Sequence, residues 1–154
     1  MEICKIETNK KKYLDLLLLA DEQESMIDRY LDRGDMFVMF NTDLEPVSSA
    51  VVTDEGDSVC ELKSLAVSPK YQRKGYGRQM VDFLCKRYAD KFKYMIVGTG
   101  ETAETMSFYK KCGFKYSHIV PDFFTDNYDY PIVENGITLK DMVYFRKELS
   151  VLKV

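Results

Sequence analysis

The chain has 154 residues, 45% of them hydrophobic and 31% charged, with a net charge of −3. That length suits one domain with a real core, residues 1–154, and is short for two; the composition excludes a disordered or fibrous chain. The longest apolar run, residues 16–20, cannot span a bilayer, Met1-Glu2 opens no signal peptide, and the mildly acidic balance exerts no general pull on nucleic acid. A cytoplasmic domain with neither membrane nor nucleic acid as partner is the expectation.

Residues 3–7 read as a short first strand. From residue 10 to 33, Tyr13, Leu14, Leu17 and Leu18, then Met26, Ile27, Tyr30 and Leu31, keep helical spacing on either side of a break near residues 20–24. This predicts two helices, the second acidic, with Gly34 closing the second in the left-handed conformation. Residues 36–40, 47–53 and 59–67 then form an antiparallel meander joined by turn-rich segments, and Pro69 ends its third strand because it cannot donate to a ladder.

Residues 75–89 carry Met80, Val81, Leu84, Cys85 and Tyr88 on one stripe, which predicts an amphipathic helix lying on the sheet. A strand at residues 94–97 follows, parallel to the third because a helix separates them. A helix over residues 103–112 ended by Gly113, a strand at 114–119, an irregular aromatic and acidic segment over 120–135, and a last strand at 142–149 complete the reading. The fold class is α+β, with a mixed, mostly antiparallel sheet and helices on both faces.

Cys4, Cys60, Cys85 and Cys112 contain no C-x-x-C pair, and with His118 as the single histidine there is no metal-ligand set. They read as free thiols of a reducing compartment, and none has a histidine at an offset suited to nucleophilic catalysis. His118 reads as a structural or surface residue.

Two glycine patterns would suit a phosphate-bearing ligand. Gly98-x-Gly100-x-x-Ala103 fits the relaxed dinucleotide fingerprint, but too little chain follows for the further strand–helix repeats that a dinucleotide fold needs. Gln72-Arg73-Lys74-Gly75-Tyr76-Gly77, followed by Arg78, lies between a strand and a helix. There the backbone N–H groups and the helix dipole favour an anion, and Lys70, Arg73, Lys74 and Arg78 make a basic patch on an acidic chain.

This second loop matches the Q/R-x-x-G-x-G/A signature of the GNAT acetyltransferases. Residues Ser107-Phe108-Tyr109-Lys110-Lys111-Cys112-Gly113-Phe114 resemble the same family's helix ending in FY-x-K-x-GF. The predicted strand order is similar too, so the resemblance spans nearly the whole chain; Glu101 departs from it, standing near where many relatives carry asparagine. The resemblance implies acetyl-CoA as co-substrate, no metal, and an amine as acceptor. It implies that Gln72, Arg73, Lys74, Gly75, Tyr76, Gly77 and Arg78 hold the pyrophosphate, and that the pantetheine arm runs along Leu65, Ala66 and Val67. The Leu65 N–H would face the thioester carbonyl, a contact worth about 2.7–4 kcal/mol in the transition state.

The same resemblance assigns Tyr109 as proton donor to the leaving thiolate, against the plainer reading of a core aromatic beside Phe108. It assigns Glu61 as general base, against a strand-end ion pair with a nearby lysine; strand alternation puts Glu61, Lys63, Leu65 and Val67 on one face. Two acidic clusters, Asp21, Glu22, Glu24, Asp28 and Asp122, Asp126, Asp129, Glu134, would draw a cationic amine, with Phe123, Phe124, Tyr128 and Tyr130 shaping a pocket. The alternative is a CoA-binding regulatory or interaction module without catalysis. The identity of the amine and the oligomeric state, a homodimer included, stay open.

Overall fold

The computed structural model describes residues 1–149. Among these, seven strands form one sheet in the order β1-β2-β3-β4-β5-β9-β6. They are β1 (Glu2–Ile6), β2 (Asp35–Phe40), β3 (Pro46–Asp54), β4 (Val59–Val67), β5 (Tyr94–Gly100), β6 (Lys115–Val120) and β9 (Met142–Glu148). The meander β2-β3-β4 is antiparallel, β4 and β5 are parallel, and β9 inserts antiparallel between β5 and β6. No helix among the described residues is long and apolar enough to cross a membrane.

The sheet is covered on both faces, which is why its inner strands read as nearly continuous apolar runs. On one face lies α3 (Tyr76–Tyr88), whose buried Met80, Val81, Leu84, Cys85 and Tyr88 are the stripe that the spacing predicts. It packs against Phe37, Met39, Ala50, Val52 and Leu62, and Tyr109 and Cys112 from α4 (Ala103–Lys111) and its end join the same core. On the other face Leu17 of α1 (Leu14–Ala20), Ile27 of α2 (Glu24–Ile27), and Tyr30 and Leu31 cover Met36, Val38 and Val51.

The predicted second helix is thus a single turn, and Gly34 is not left-handed. A Cβ there would lie 2.6 Å from Val51 Cγ1 and 3.0 Å from the Tyr30 carbonyl oxygen, so glycine is needed because β3 approaches closely. The strand after α3 is longer than predicted, and Gly98 and Gly100 belong to it, facing Tyr144 and Met142 of β9. A Cβ on Gly98 would sit 2.8 Å from Tyr144 Cζ, and one on Gly100 2.6 Å from Leu139 Cδ1. These glycines admit neighbouring side chains and form no phosphate turn, which removes the dinucleotide reading.

The segment expected to be irregular holds α5 (Phe123–Asn127) and a small hairpin, β7 (Val133–Glu134) with β8 (Ile137–Thr138). Its turn is Asn135-Gly136, both at positive φ, the residue pair that a tight hairpin favours.

The decisive irregularity is in β4. Val52 pairs with Leu62 and Val51 with Ser64, so Lys63 is an extra residue, a bulge. The bulge breaks the simple alternation: Leu62 and Leu65 both contact the α3 core, whereas Ser64 pairs with Val51 of the α1 side. Glu61 and Leu65 therefore do not share a face, contrary to the strand-alternation expectation.

Gly34→Ala should destabilise the fold by about 1–3 kcal/mol, the scale of overpacking a tight core site. Thermal unfolding checks this; a melting temperature equal to the parent's would contradict the close approach of β3.

Candidate active site

The parallel ladder between β4 and β5 runs from Val59–Tyr94 to Leu62–Val97 and then stops, although both strands continue. The direction of the freed backbone groups follows from the other edge of β4. Ser68 N–H donates to the Val47 carbonyl at 2.8 Å, and antiparallel pairs alternate between bonded and non-bonded. Counting back along that register, Ala66 and Ser64 turn their backbone groups toward β3, while Leu65 and Val67 turn theirs into the gap. Ala66 lies in the wall without offering a backbone group to the gap; its carbonyl also accepts from Ser48 Oγ at 2.7 Å.

The gap opens into a cleft of about 260 Å³ whose lining includes Ser64, Leu65, Val97, Gly98, Thr105 and Tyr109. At the far end of β4 a second hollow is lined by Val67, Gln72, Arg73, Gly75, Tyr76, Gly77 and Arg78. Gln72 Nε2 donates to the Val67 carbonyl at 2.9 Å and ties this loop to the strand. Arg73 and Gly75 are left-handed, with φ of 62° and 86°, and curl the loop around the start of α3. The first helical bond there is Gln79 N–H to the Gly75 carbonyl, so the N–H groups of the opening turn have no intrahelical partner.

A Cβ on Gly75 meets nothing within 4 Å, so the space in front of it is open, while one on Gly77 would meet Phe108 Cζ at 3.3 Å. Of the predicted basic patch, Arg73 and Arg78 line the hollow, Lys74 lies over the Tyr71 ring outside that lining, and Lys70 is paired with Glu45 at 2.6 Å, while Lys111 joins the hollow.

Tyr109 is 8% exposed, packs edge-on against Phe108 and Phe114, and also lines the cleft. Core aromatic and cleft residue are therefore one position. Burial, with smaller contributions from Cys112 and Glu134, pushes its phenol well above the ordinary range, so it stays protonated.

Glu61 is 6% exposed and receives two donors on one oxygen, Oε2: Lys63 Nζ at 3.1 Å and the Tyr144 hydroxyl at 3.3 Å. Burial raises its carboxyl above the usual carboxylate range despite the opposing charge of Lys63. The ion-pair reading thus holds geometrically, and Oε1 takes neither of these contacts. Tyr144 is itself stacked on His118, with ring centroids 4.7 Å apart and planes within 2°.

Glu61 lines a second hollow together with Asp21, Tyr30 and Tyr128 rather than the cleft of Tyr109, and these three belong to a network that local spacing does not reveal. Asp21 accepts the Tyr30 hydroxyl at 3.1 Å and the Tyr128 hydroxyl at 2.7 Å. The Tyr130 hydroxyl donates to the Glu22 carbonyl, and Asp129 N–H donates to Gln23 Oε1. These bonds strap the α5 region onto the start of α2 and bring Asp21, Glu22 and Glu134 to the cleft. The remainder of the first acidic cluster is elsewhere: Glu24 and Asp28 both hold Lys11.

The four cysteines are free. Burial pushes the Cys60 thiol up to about 12 and the Cys85 thiol up to about 11, too high for nucleophiles. The described residues contain no group of three or more His, Cys, Asp or Glu arranged to hold a metal.

This mixed sheet, parted at a bulge and followed by a left-handed, glycine-containing loop, has counterparts among known proteins. The acetyltransferase (GNAT) domain profile matches residues 32–116, and the chain belongs to the GNAT acetyltransferase family. It is 38% identical over 139 residues, 89% of this chain and 88% of the relative, to the uncharacterized N-acetyltransferase YvbK of Bacillus subtilis (strain 168). It is similar, with a TM-score of 0.90 and 32% identity over 96% of this chain and 97% of the other, to a GNAT family acetyltransferase from Elizabethkingia anophelis crystallised with acetyl-CoA bound. A Bacillus subtilis acetyltransferase in complex with CoA gives a TM-score of 0.88 and 33% identity, with coverage of 96% and 97%.

One electrostatic feature of the cleft makes a stability prediction. Glu134 Oε2 is buried without a hydrogen-bond partner, and burial, then the charge of Glu22, raises its carboxyl above the ordinary carboxylate range. A carboxyl raised on folding binds its proton more tightly in the folded state, so stability falls as pH rises from the ordinary carboxylate range through the raised value. Glu134→Gln should therefore raise the melting temperature at neutral pH, and the gain should vanish in acid. A gain that instead grows toward acid pH would contradict this.

Proposed function

We propose that the chain transfers the acetyl group of acetyl-CoA to a primary amine by direct attack in a ternary complex, one domain supplying both sites. The observation that carries this is the free edge of β4, which has Val67 in the hollow at the start of α3 and Leu65 in the cleft that Tyr109 lines. Two relatives at 32% and 33% identity that were crystallised with acetyl-CoA and CoA support the same choice of donor.

The pyrophosphate would rest on the N–H groups of residues 73–77, with charge from Arg73, Lys74, Arg78 and Lys111. Gly75 leaves the approach open, and Gln72 and Tyr76 flank it. The pantetheine arm would add to the free edge at Leu65 and Val67, beside Ala66, leaving the Leu65 N–H to polarise the thioester carbonyl.

Glu61 would take a proton from the acceptor ammonium, directly or through water, through its free Oε1. The neutral amine attacks the thioester carbonyl carbon; the C–N bond forms, the C–S bond breaks, and the departing sulfur takes a proton from Tyr109. The attacking nitrogen sheds its surplus proton and Tyr109 is reprotonated, so that in net one N–H proton ends on the CoA sulfur. Burial keeps the Tyr109 phenol protonated, so its proton is available to the departing sulfur.

Tyr109→Phe should lower turnover by about a hundredfold, within the range of a lost general acid, with acetyl-CoA affinity nearly unchanged. Following free-thiol release over an amine panel, beside a thermal-shift titration of acetyl-CoA, measures both; unchanged turnover removes Tyr109 from the mechanism. Gly75→Val should abolish acetyl-CoA stabilisation by filling the open approach and straining a left-handed position. Normal stabilisation would show that the cradle is misplaced. Stabilisation of the parent protein without thiol release on any amine would favour the non-catalytic CoA-binding module.

A further inference from the structure

The carboxylate of Glu61 is reached from two strands away. In the sheet order β4-β5-β9, Tyr144 of β9 stands opposite Gly98 of β5, two residues along from Ile96, the partner of Glu61. Residues two apart on a strand share a face, so Glu61, Gly98 and Tyr144 lie on one side of the sheet. Tyr144 crosses β5, and its hydroxyl donates to Glu61 Oε2 at 3.3 Å. The crossing needs the glycine: a Cβ on Gly98 would sit 2.8 Å from Tyr144 Cζ and would overlap Met142 Sδ. At the other end of the row, His118 of β6 pairs with Tyr144 and stacks on its ring, with centroids 4.7 Å apart and planes within 2°.

Two donors therefore address the same oxygen of Glu61, the Tyr144 hydroxyl and Lys63 Nζ from the bulge. A carboxylate held twice through Oε2 cannot turn without loosening both bonds, so Oε1 keeps one direction. The two holds differ in stiffness. The Lys63 ammonium rides on a flexible four-carbon stem, whereas the Tyr144 hydroxyl is carried by a planar ring set between β5 and His118. The other charged groups of this hollow are engaged elsewhere: Asp21 with the Tyr30 and Tyr128 hydroxyls, Arg33 with Glu55 at 2.9 Å, and Arg29 with Asn127. Glu55 acts on Glu61 through its charge.

Resting on the acetyl-transfer reading above, with Glu61 as its base, we propose that Tyr144 is the positioning residue of that base. It holds Oε2 so that Oε1 faces the acceptor nitrogen, and residue 98 is glycine so that the tyrosine can cross β5. The acceptor's proton passes to Oε1, and the tyrosine keeps its own. Burial, then the charge of Glu61, pushes the Tyr144 phenol above its ordinary range, so the hydroxyl remains a donor.

Tyr144→Phe removes the hydroxyl and keeps the ring. Free-thiol release with one amine across pH gives a variant-to-parent ratio of kcat/KM in which the ionisation of the amine cancels. Without its donor the Glu61 carboxylate stays protonated to higher pH. The ratio should therefore fall by about tenfold from alkaline to acid pH, equivalent to about one unit in the ionisation of one carboxyl. Gly98→Ala should give a falling ratio too, by displacing the ring. A Tyr144→Phe ratio that is the same at every pH is what a merely structural tyrosine gives, and it overturns the proposal; a flat ratio for Gly98→Ala alone overturns the part assigned to the glycine. Glu61→Gln tests the reading underneath: its deficit should be largest in alkali and shrink toward acid, where the parent's base is protonated. A Glu61→Gln variant as active as the parent at every pH removes Glu61 as base, and the role of Tyr144 with it, while acetyl transfer stands. Thiol release on no amine overturns the acetyl-transfer reading and this proposal together.

Discussion

The site depends on a parallel ladder that closes and then fails to continue. Between β4 and β5 the backbone is paired only as far as Leu62 and Val97, and one residue later the bulge at Lys63 turns β4 away. Unpaired strand edges inside a fold are costly, because each exposed N–H and C=O must find a partner. Here Leu65 lines the cleft and Val67 the hollow at the start of α3, with the Val67 carbonyl met by Gln72. An extended ligand with amide groups of its own suits such an edge. The same bulge moves Ser64 to the α1 side while Leu65 stays with the α3 core, so one residue both opens the gap and distributes its lining.

Burial sets the electrostatics of the cleft. Tyr109 is held as a neutral phenol, Glu61 is raised but tempered by Lys63 and Tyr144, and Glu134 is raised with nothing to temper it. A protein optimised for stability alone would place an apolar side chain at the last of these positions. Arg73 and Gly75, left-handed in the loop before α3, have the same character, being local choices that packing does not demand.

What could be read from the sequence is what is written contiguously. The stripe from Met80 to Tyr88 keeps helical period because one continuous face is buried, and the family signature from Gln72 to Gly77 stands within six consecutive residues. The bulge at Lys63 carries no glycine or proline to mark it, so alternation along β4 was bound to mislead. Gly34 and Gly98 invite explanation by turn rules, whereas their cause is a neighbour distant in sequence, Val51 in one case and Tyr144 in the other. The bond from Tyr128 to Asp21 spans 107 positions, and no local pattern predicts it. Asn135-Gly136 is different: that hairpin signal stands openly in the sequence, hidden only by the aromatic and acidic run around it.

The central claim is that the free edge of β4 receives the donor. Amide hydrogen exchange with and without acetyl-CoA, resolved to single residues, tests it directly. Leu65 and Val67 should gain protection on binding, together with the amides of residues 73–77, while β1 and β2 stay unchanged. Acetyl-CoA binding that protects the loop but leaves Leu65 and Val67 exchanging at their free rates would contradict it.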